Sequence, residues 1–547
     1  MNKWKVISTK KEIDSAEEII NELLIIRNIS EKEKSSFFSP AVENLKIENV
    51  SISKKELKKA ISRINKAIKN NEKIVILGDY DVDGICASAI LWETIFKKYK
   101  NVLPYIPDRF NEGYGISLKS LKNVFEKYPD VKLIITVDNG IVGNEAVDFA
   151  KNEGVDVIIT DHHVAGDKSP DAFAIVHTTD LCGAGVAWML ARELKFLTVD
   201  EINEKLGLAS LATVADLVPL VKINRVIVSL GLKYLQKTKR PGLLEIYNNA
   251  KIDKEKIEAY HLGFMIGPRI NATGRVYHAM DSLRLICTND KNFAAQLARK
   301  IEETNKTRQQ MVLKSVEHAK LSVLAQEKLG KIVGVHHESY SEGIVGLIAS
   351  KLVEKYYRPS FAISRGELIS KGSARSINGI NIIELLRSVP YLKEAGGHPM
   401  AAGFSIETKN IELFYSALQL ESDKFEDDLF EKQIKIDLEL SFKFINEKLY
   451  KDIQDLSPFG MGNPQPVFMT RNVRVIDRRN LGKDKSHLKL KVSSEGMLFD
   501  AIGFGIANDC EVQIGDSIDI VYTIDVNEWN NKKTIQLMIK DLLVSNV

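Results

Sequence analysis

Lys73-Ile74-Val75-Ile76-Leu77-Gly78-Asp79-Tyr80-Asp81-Val82-Asp83-Gly84 carries an apolar strand straight into three aspartates. Its surroundings decide the fold. Ile85–Tyr99 follows with apolar residues at helical spacing, then strands are predicted over Val102–Ile106 and Val131–Val137. A helix over Asn144–Asn152, with Gly154 just past its end, leads to the β-branched strand Val155–Thr160. Strand and helix alternate, which predicts a mostly parallel sheet covered on both faces. Such sheets hold ligands at the carboxyl ends of their strands. The chain places Asp79, Asp81 and Asp83 at one such end, Asp138 at a second, and Asp161-His162-His163 at a third.

That much negative charge needs a positive partner. The period-two spacing of Asp79, Asp81 and Asp83 would point all three carboxylates to one side of an extended backbone. A calcium loop of the Asp-x-Asp-x-Asp-Gly kind is excluded, because its twelfth position is Ile90 and a strand, not a helix, precedes it. A solvated turn ending in Gly84 is the ordinary alternative, and Asp138-Asn139-Gly140 alone is also a good turn. Two adjacent imidazoles leaving a strand beside Asp161 are harder to explain as structure, and suit a mixed oxygen and nitrogen metal site. Asp216, inside Leu211-Ala212-Thr213-Val214-Ala215-Asp216-Leu217-Val218-Pro219, is either a helix-end cap or a further member. A pair of divalent ions flanked by such groups is a device for phosphate-ester hydrolysis.

The 547 residues are too many for one core, so about three domains are expected. A net charge of +3 excludes a polycation and confines any nucleic-acid surface to a patch. Cys86, Cys182, Cys287 and Cys510 are isolated, which excludes a disulfide scaffold or a cysteine zinc site. With no leader-like or membrane-length apolar run, a cytoplasmic protein is expected. The expected division is a helical N-terminal extension (1–70), a parallel-sheet domain (71–290), a connecting helix (291–328), a smaller second α/β domain (329–425) and a C-terminal set of short strands forming a small barrel or sandwich (426–547). In the second domain, Ser373 and Arg375 sit among small residues that let a phosphate approach, and Gly396-Gly397-His398 reads as a close-approach loop. The barrel carries a basic run, Arg471, Arg474, Arg478, Arg479, Lys483, Lys485, Lys489 and Lys491, against Asp477 and Asp484. It is either a solvated face or a single-strand track, with Phe459, Phe468 and Trp529 available for stacking.

The motif at 78–84, Pro107-Asp108-Arg109-Phe110-Asn111-Glu112-Gly113-Tyr114-Gly115, Asp161-His162-His163, Gly267-Pro268-Arg269-Ile270-Asn271-Ala272-Thr273-Gly274-Arg275, Ser373-Ala374-Arg375-Ser376 and Gly396-Gly397-His398-Pro399-Met400-Ala401-Ala402-Gly403 resemble, in order, the DHH phosphoesterase superfamily and within it the RecJ family of single-strand-specific DNA exonucleases. Pro458-Phe459-Gly460-Met461-Gly462-Asn463-Pro464 is similar to the opening of that family's oligonucleotide-binding (OB) barrel. Val82 stands where alanine is common in the family, and the chain would stop just after the barrel, without a further C-terminal domain that some members have. The resemblance implies a DHH domain, a DHH-associated domain and an OB-fold. It implies two ions, Mn²⁺ or Mg²⁺, held by Asp81, Asp83, Asp138, His162 and Asp216, with Asp79 a further ligand or an orienter behind them and His163 facing the scissile phosphate; Asp138, from a different strand than the first three acids, is the candidate bridge. It implies strand contacts by Arg109, Arg269, Asn271, Arg275, Ser373, Arg375 and His398, Arg109 and Arg375 holding the 5′ phosphate. The implied activity is 5′-to-3′ degradation of single-stranded DNA to mononucleotides in repair, mismatch repair and recombination, by a monomer that meets a single-strand-binding protein and a recombination helicase. The alternatives are a DHH hydrolase of short oligonucleotides or cyclic dinucleotides, and an inactive single-strand-binding protein.

Overall fold

A computed structural model describes residues 3–10, 13, 15–109, 111–326, 328–529 and 532–545. The chain divides into two compact units, one of residues 46–218 and 230–432, the other of 1–45, 219–229 and 433–547.

In the first of these units, five parallel strands run in the order Val102–Tyr105, Lys73–Leu77, Val131–Val137, Asp156–Asp161, Ala174–His177. The last strand was not anticipated. Ile74 to Leu77 and Leu133 to Ile135 are fully buried, as strands covered on both faces must be. The chain leaves Lys73–Leu77 for the edge and returns on its other side at Val131–Val137, so the order reverses between these two strands and opens a crevice at their carboxyl ends. The backbone there differs from the sequence expectation. Asp81 is extended and caps the helix Val82–Lys98, whose first turn already contains Asp83. The aspartates converge because a helix starts among them, not because they share one side of a strand.

That helix is held from behind. Glu93 takes both terminal nitrogens of Arg240, at 2.7 and 2.8 Å, and also pairs with Lys205; Arg240 continues to Glu204. Burial opposes the Glu93 charge, but the Arg240 guanidinium overrides it and its pKa falls from 4.5 to about 2. A depressed carboxylate contributes stability above its unfolded pKa and loses it as pH falls through the folded value. Glu93→Gln is therefore expected to lower the thermal midpoint at pH 7, by about 3 kcal/mol for a broken buried pair. The difference from the parent should shrink between pH 4.5 and 2, which thermal melts across that range would read.

Lys291–Leu324 is one helix. Ala294, Leu297, Ala298 and Ile301 are buried in its first half, while Val316, Ala319 and Val323 join the core of the second α/β domain. That domain is a mixed sheet ordered Leu392–His398, Ala401–Glu407, Ile369–Arg375, Ser360–Ser364, Val333–His337, with only the last pair parallel. Gly396-Gly397-His398, expected as a loop, lies on the edge strand, and the other glycine-rich segment is also strand, Ser373 and Gly372 pairing with Gly403 and Phe404. A Cβ on Gly372 would lie 2.1 Å from the Phe404 ring, so the glycine there makes room for the core aromatics.

In the other unit, Phe468–Leu481, His487–Ser494, Met497–Gly503, Lys532–Val544 and Ser517–Trp529 form a barrel, closed where the first strand pairs with the last. The N-terminal segment, expected as helical, begins with a strand, Lys3–Val6, paired with Gln433–Ile436. Ile19, Leu23 and Leu24 of its first helix enter the barrel core.

Candidate metal centre and anion pocket

Each acidic side chain is aimed by its own backbone device. Asp81 Oδ1 accepts the amides of Asp83 and Gly84, at 2.9 and 3.1 Å. Asp83 receives the amides of Gly183 and Ala184, each at 2.6 Å, one on either oxygen. These amides open the helix Gly183–Leu194, so a carboxylate meets unpaired N–H groups at a helix N-terminus. Asp138 ends its strand at φ +62°, where aspartate is tolerated. Asp216 is the C-cap of Leu206–Ala215, so it is both the helix end weighed from sequence and a member of the cluster. His162 Nε2 lies 3.1 Å from Asp138, 3.6 Å from Asp83 and 3.7 Å from Asp216.

Three overlapping groups have ligand atoms within 4.8 Å of one another: Asp79, Asp81 and Asp138; Asp83, His162 and Asp216; Asp138, His162 and His163. Asp138 belongs to two of them. Burial, reinforced by the neighbouring carboxylates, raises the pKa of Asp79, Asp81 and Asp138, and pushes Asp216 up to about 8. Asp79 Oδ1 is buried with no hydrogen-bond partner. Burial lowers His162, leaving a neutral imidazole with a free lone pair. Orphaned carboxylate oxygen, like-charge crowding and a neutral histidine fit a pair of divalent cations, whose charge would offset the repulsion.

His163 is built differently. Burial works against its charge, but Asp161 Oδ1 at 2.8 Å from Nδ1 raises its pKa to about 9. Asp161 also accepts the amides of Ile141, His162 and His163, so it orients the loop. Tyr114 donates to the Asp138 carbonyl at 3.1 Å and stands 3.1 Å from His163 Nε2.

Beside this centre opens a cavity of about 470 Å³, lined by Tyr80, Arg109, Tyr114, Arg275, Ser373 and Arg375 among others. Arg109 lies over the Tyr80 ring, 4.9 Å from its centroid. Arg375 Nη1 donates to Ser373 Oγ at 2.8 Å and to the Ala374 carbonyl at 2.9 Å. Burial, with Arg109 and Arg308 nearby, lowers Arg275 to about 10. None of Arg109, Arg275 and Arg375 has a carboxylate ion-pair partner among the described residues. Three guanidiniums without counter-ions make an anion site.

Residues 73–218 match the family model for the DHH family, N-terminal domain, residues 312–421 that for the DHHA1 domain, and residues 436–541 that for the RecJ OB domain. The single-stranded-DNA-specific exonuclease RecJ of Haemophilus influenzae is 30% identical over 518 residues, covering 88% of this chain and 90% of that protein. This chain belongs to the RecJ family. The protein of the same name from Bacillus subtilis is 39% identical over 510 residues, 90% of this chain; the chain spans 64% of that relative's length. The crystal structure of RecJ from Thermus thermophilus in complex with Mn²⁺ superposes with a TM-score of 0.85 at 25% identity, covering 100% of this chain and 80% of that one.

Against the RecJ family pattern, several side chains have partners that sequence could not show. Arg269 is tied to Glu302 at 2.7 Å and to the Met265 carbonyl, and Asn271 Oδ1 accepts the Val82 amide at 2.9 Å, fixing the start of the Asp83 helix. His398 stacks on His163 with ring centroids 6.2 Å apart. In the barrel, Arg471, Arg479 and Lys489 pair with Asp519, Asp477 and Asp500. Phe468 is fully buried in the barrel core and is not free to stack, and Phe459 is half-buried against that core; the Trp529 side chain and Phe110 lie outside the described residues. Tyr114, Asp161 and Gly183 were missed as site members. Tyr114 and Asp161 lay inside recognised motifs, whereas Cys182-Gly183-Ala184-Gly185 carried no signal beyond a helix start.

Proposed function

We propose that this chain hydrolyses single-stranded DNA from its 5′ end and releases 5′-mononucleotides. The observation that carries the reading is the placement of three guanidiniums, without carboxylate ion-pair partners among the described residues, in a cavity that shares Tyr114 with the carboxylate cluster. A terminal phosphate held by Arg109, Arg275 and Arg375 sets the next phosphodiester beside His163 and Asp138, which gives polarity and one-nucleotide steps. Asp79, Asp81 and Asp138 would hold one divalent cation and Asp83, His162 and Asp216 the other, Mn²⁺ or Mg²⁺, with Asp138 between them. When bound, the pair acidifies a water and takes up charge on the phosphate. The chain's own residues do the rest. Protonated His163, kept so by Asp161, donates a hydrogen bond to a phosphate oxygen once Tyr114 yields its place.

The reading extends to a monomer acting in the cytoplasm in repair, mismatch repair and recombination, supplied with strand by a recombination helicase and by single-strand-binding protein. In the division 1–70, 71–290, 291–328, 329–425 and 426–547, chemistry belongs to the second segment, phosphate capture to the second and fourth together and strand retention to the fifth.

The test is digestion of a long single strand labelled at one end or the other, with and without Mn²⁺. Label should leave as mononucleotide from the 5′ end only, and only with metal. Arg375→Ala should raise KM for a 5′-phosphorylated strand about tenfold while barely changing a 5′-hydroxyl strand, the loss expected for one charged bidentate contact. Turnover of a pentanucleotide with none on the long strand would overturn the reading in favour of a short-oligonucleotide hydrolase.

A further inference from the structure

The barrel's outward face contains an aromatic platform that no motif flagged. Strand register aligns it. Leu481 pairs with His487 and Arg479 with Lys489 across the first hairpin; Lys489 pairs with Ile502 and Lys491 with Asp500 across the second. Leu488, Leu490 and Val492 are buried, so by alternation His487, Lys489 and Lys491 face outward. Phe504, two residues past Ile502, is 63% exposed, the largest exposure of any phenylalanine in the barrel. Its ring meets His487 edge-on, with centroids 5.1 Å apart at 76°. His487 is itself fixed, because its Nδ1 accepts the Gly505 amide at 3.1 Å. Gly505, at φ +71°, has open space where a Cβ would be, so the platform is approachable from solvent.

An exposed phenylalanine braced by an immobilised imidazole is unlike a stray surface apolar residue. Its flank is cationic. Lys483 and Lys485 stand exposed in the hairpin loop 482–486, and Lys491 on the strand, and none makes an ion pair among the described residues. Arg479 and Lys489 contribute less, being paired with Asp477 and Asp500. In five-stranded barrels of this kind, strands two and three and the loop between strands one and two take oligonucleotides. That is where Phe504, His487 and the two loop lysines lie.

We propose that Phe504, braced by His487 and flanked by Lys483, Lys485 and Lys491, is a base-stacking site for single-stranded nucleic acid, a role rested on the exonuclease reading above. A ring face accepts any base, so the site is sequence-tolerant, and its lysines make it salt-sensitive.

The experiment uses the full chain in chelator, titrated onto a labelled oligothymidylate by fluorescence anisotropy. Phe504→Ala should weaken binding about tenfold, the loss of one stacked base, and Phe504→Trp should hold the parent affinity. The Lys483→Ala, Lys485→Ala pair should lower the slope of log affinity against log salt by about 1.4, at roughly 0.7 per phosphate contact on single strands. The thermal midpoint in chelator should be the same for Phe504→Ala and the parent, so that a loss of binding is not a loss of fold. The proposal is overturned if Phe504→Ala binds as the parent does or if Phe504→Trp fails as alanine does. A parent chain that binds the strand but degrades none overturns the exonuclease reading alone.

Discussion

Asp138→Asn is expected to cut Mn²⁺-dependent hydrolysis by on the order of 10³-fold while leaving the metal-free protein at least as stable as the parent. Asparagine is the right replacement. Asp138 sits at φ +62°, which asparagine tolerates, whereas alanine there would add about 1 kcal/mol of backbone strain and blur the result. The substitution keeps shape and removes charge. Asp138 completes the group of Asp79 and Asp81, and its Oδ1 lies 3.1 Å from His162 Nε2 of the other cation group, so its loss is felt at both positions. In the metal-free chain the same charge is a burden: burial first, then Asp83, Asp81 and Asp79, push its pKa up. Removing it relieves that repulsion, so the thermal midpoint in chelator should hold or rise. Addition of Mn²⁺ should raise the parent's midpoint and raise the variant's less, because a ligand that binds only the folded state stabilises it in proportion to affinity. Activity within tenfold of the parent at saturating Mn²⁺ would refute a shared role for Asp138.

This trade between stability and charge is what made the centre legible in sequence. Strand-end carboxylates beside paired imidazoles are improbable unless something gathers them, and Asp79, Asp81, Asp83, Asp138, His162 and Asp216 do converge. What sequence could not supply was how. The period of two suggested an extended run, but Asp81 turns the chain into a helix, since a short acidic segment after a strand serves equally as an N-cap. Glycines misled in the opposite direction. Gly396 and Gly397 read as a loop, yet they lie in an edge strand, and Gly372 lies in a strand where its missing side chain makes room for Phe404. The strand contacts that the resemblance implies for Arg269 and Asn271 leave out what else these side chains do: their partners Glu302 and Val82 are 33 and 189 residues away, beyond the reach of a local motif. Among the barrel aromatics, Phe468 lies in the core and Phe504, in the turn just past the strand Met497–Gly503, is exposed, a difference that depends on where each strand ends.

Gly183→Ala is expected to lower hydrolysis about 10²-fold, the cost of moving a catalytic group by roughly an ångström. The residue does two things at once. Its amide holds Asp83 Oδ2 at 2.6 Å, and its missing side chain admits Asp138, since a Cβ there would lie 2.6 Å from both the Cβ and Oδ1 of Asp138. That is far inside contact distance, and Asp138 is anchored by its own amide to the Thr160 carbonyl, so it has little room to retreat. A methyl group must therefore displace the Asp138 carboxylate, the helix start that aims Asp83, or both. Either shift changes the separation between the two acids that would share the cation pair. Alanine keeps the amide donor and is a better helix former than glycine, so the helix Gly183–Leu194 should survive, and loss of fold cannot account for loss of activity. The discriminating measurement is a Mn²⁺ titration alongside a melt in chelator: half-saturation should move upward about tenfold, the share of the 10²-fold loss carried by weaker cation binding, with the melt little changed. Ala184→Gly provides the contrast, because it keeps the second amide to Asp83 and adds nothing near Asp138; it should retain most of the activity. Should Gly183→Ala match the parent in both activity and metal response, the spacing of Asp83 and Asp138 would not be set by this helix, and the geometry of the centre would have to be held from the strand side alone.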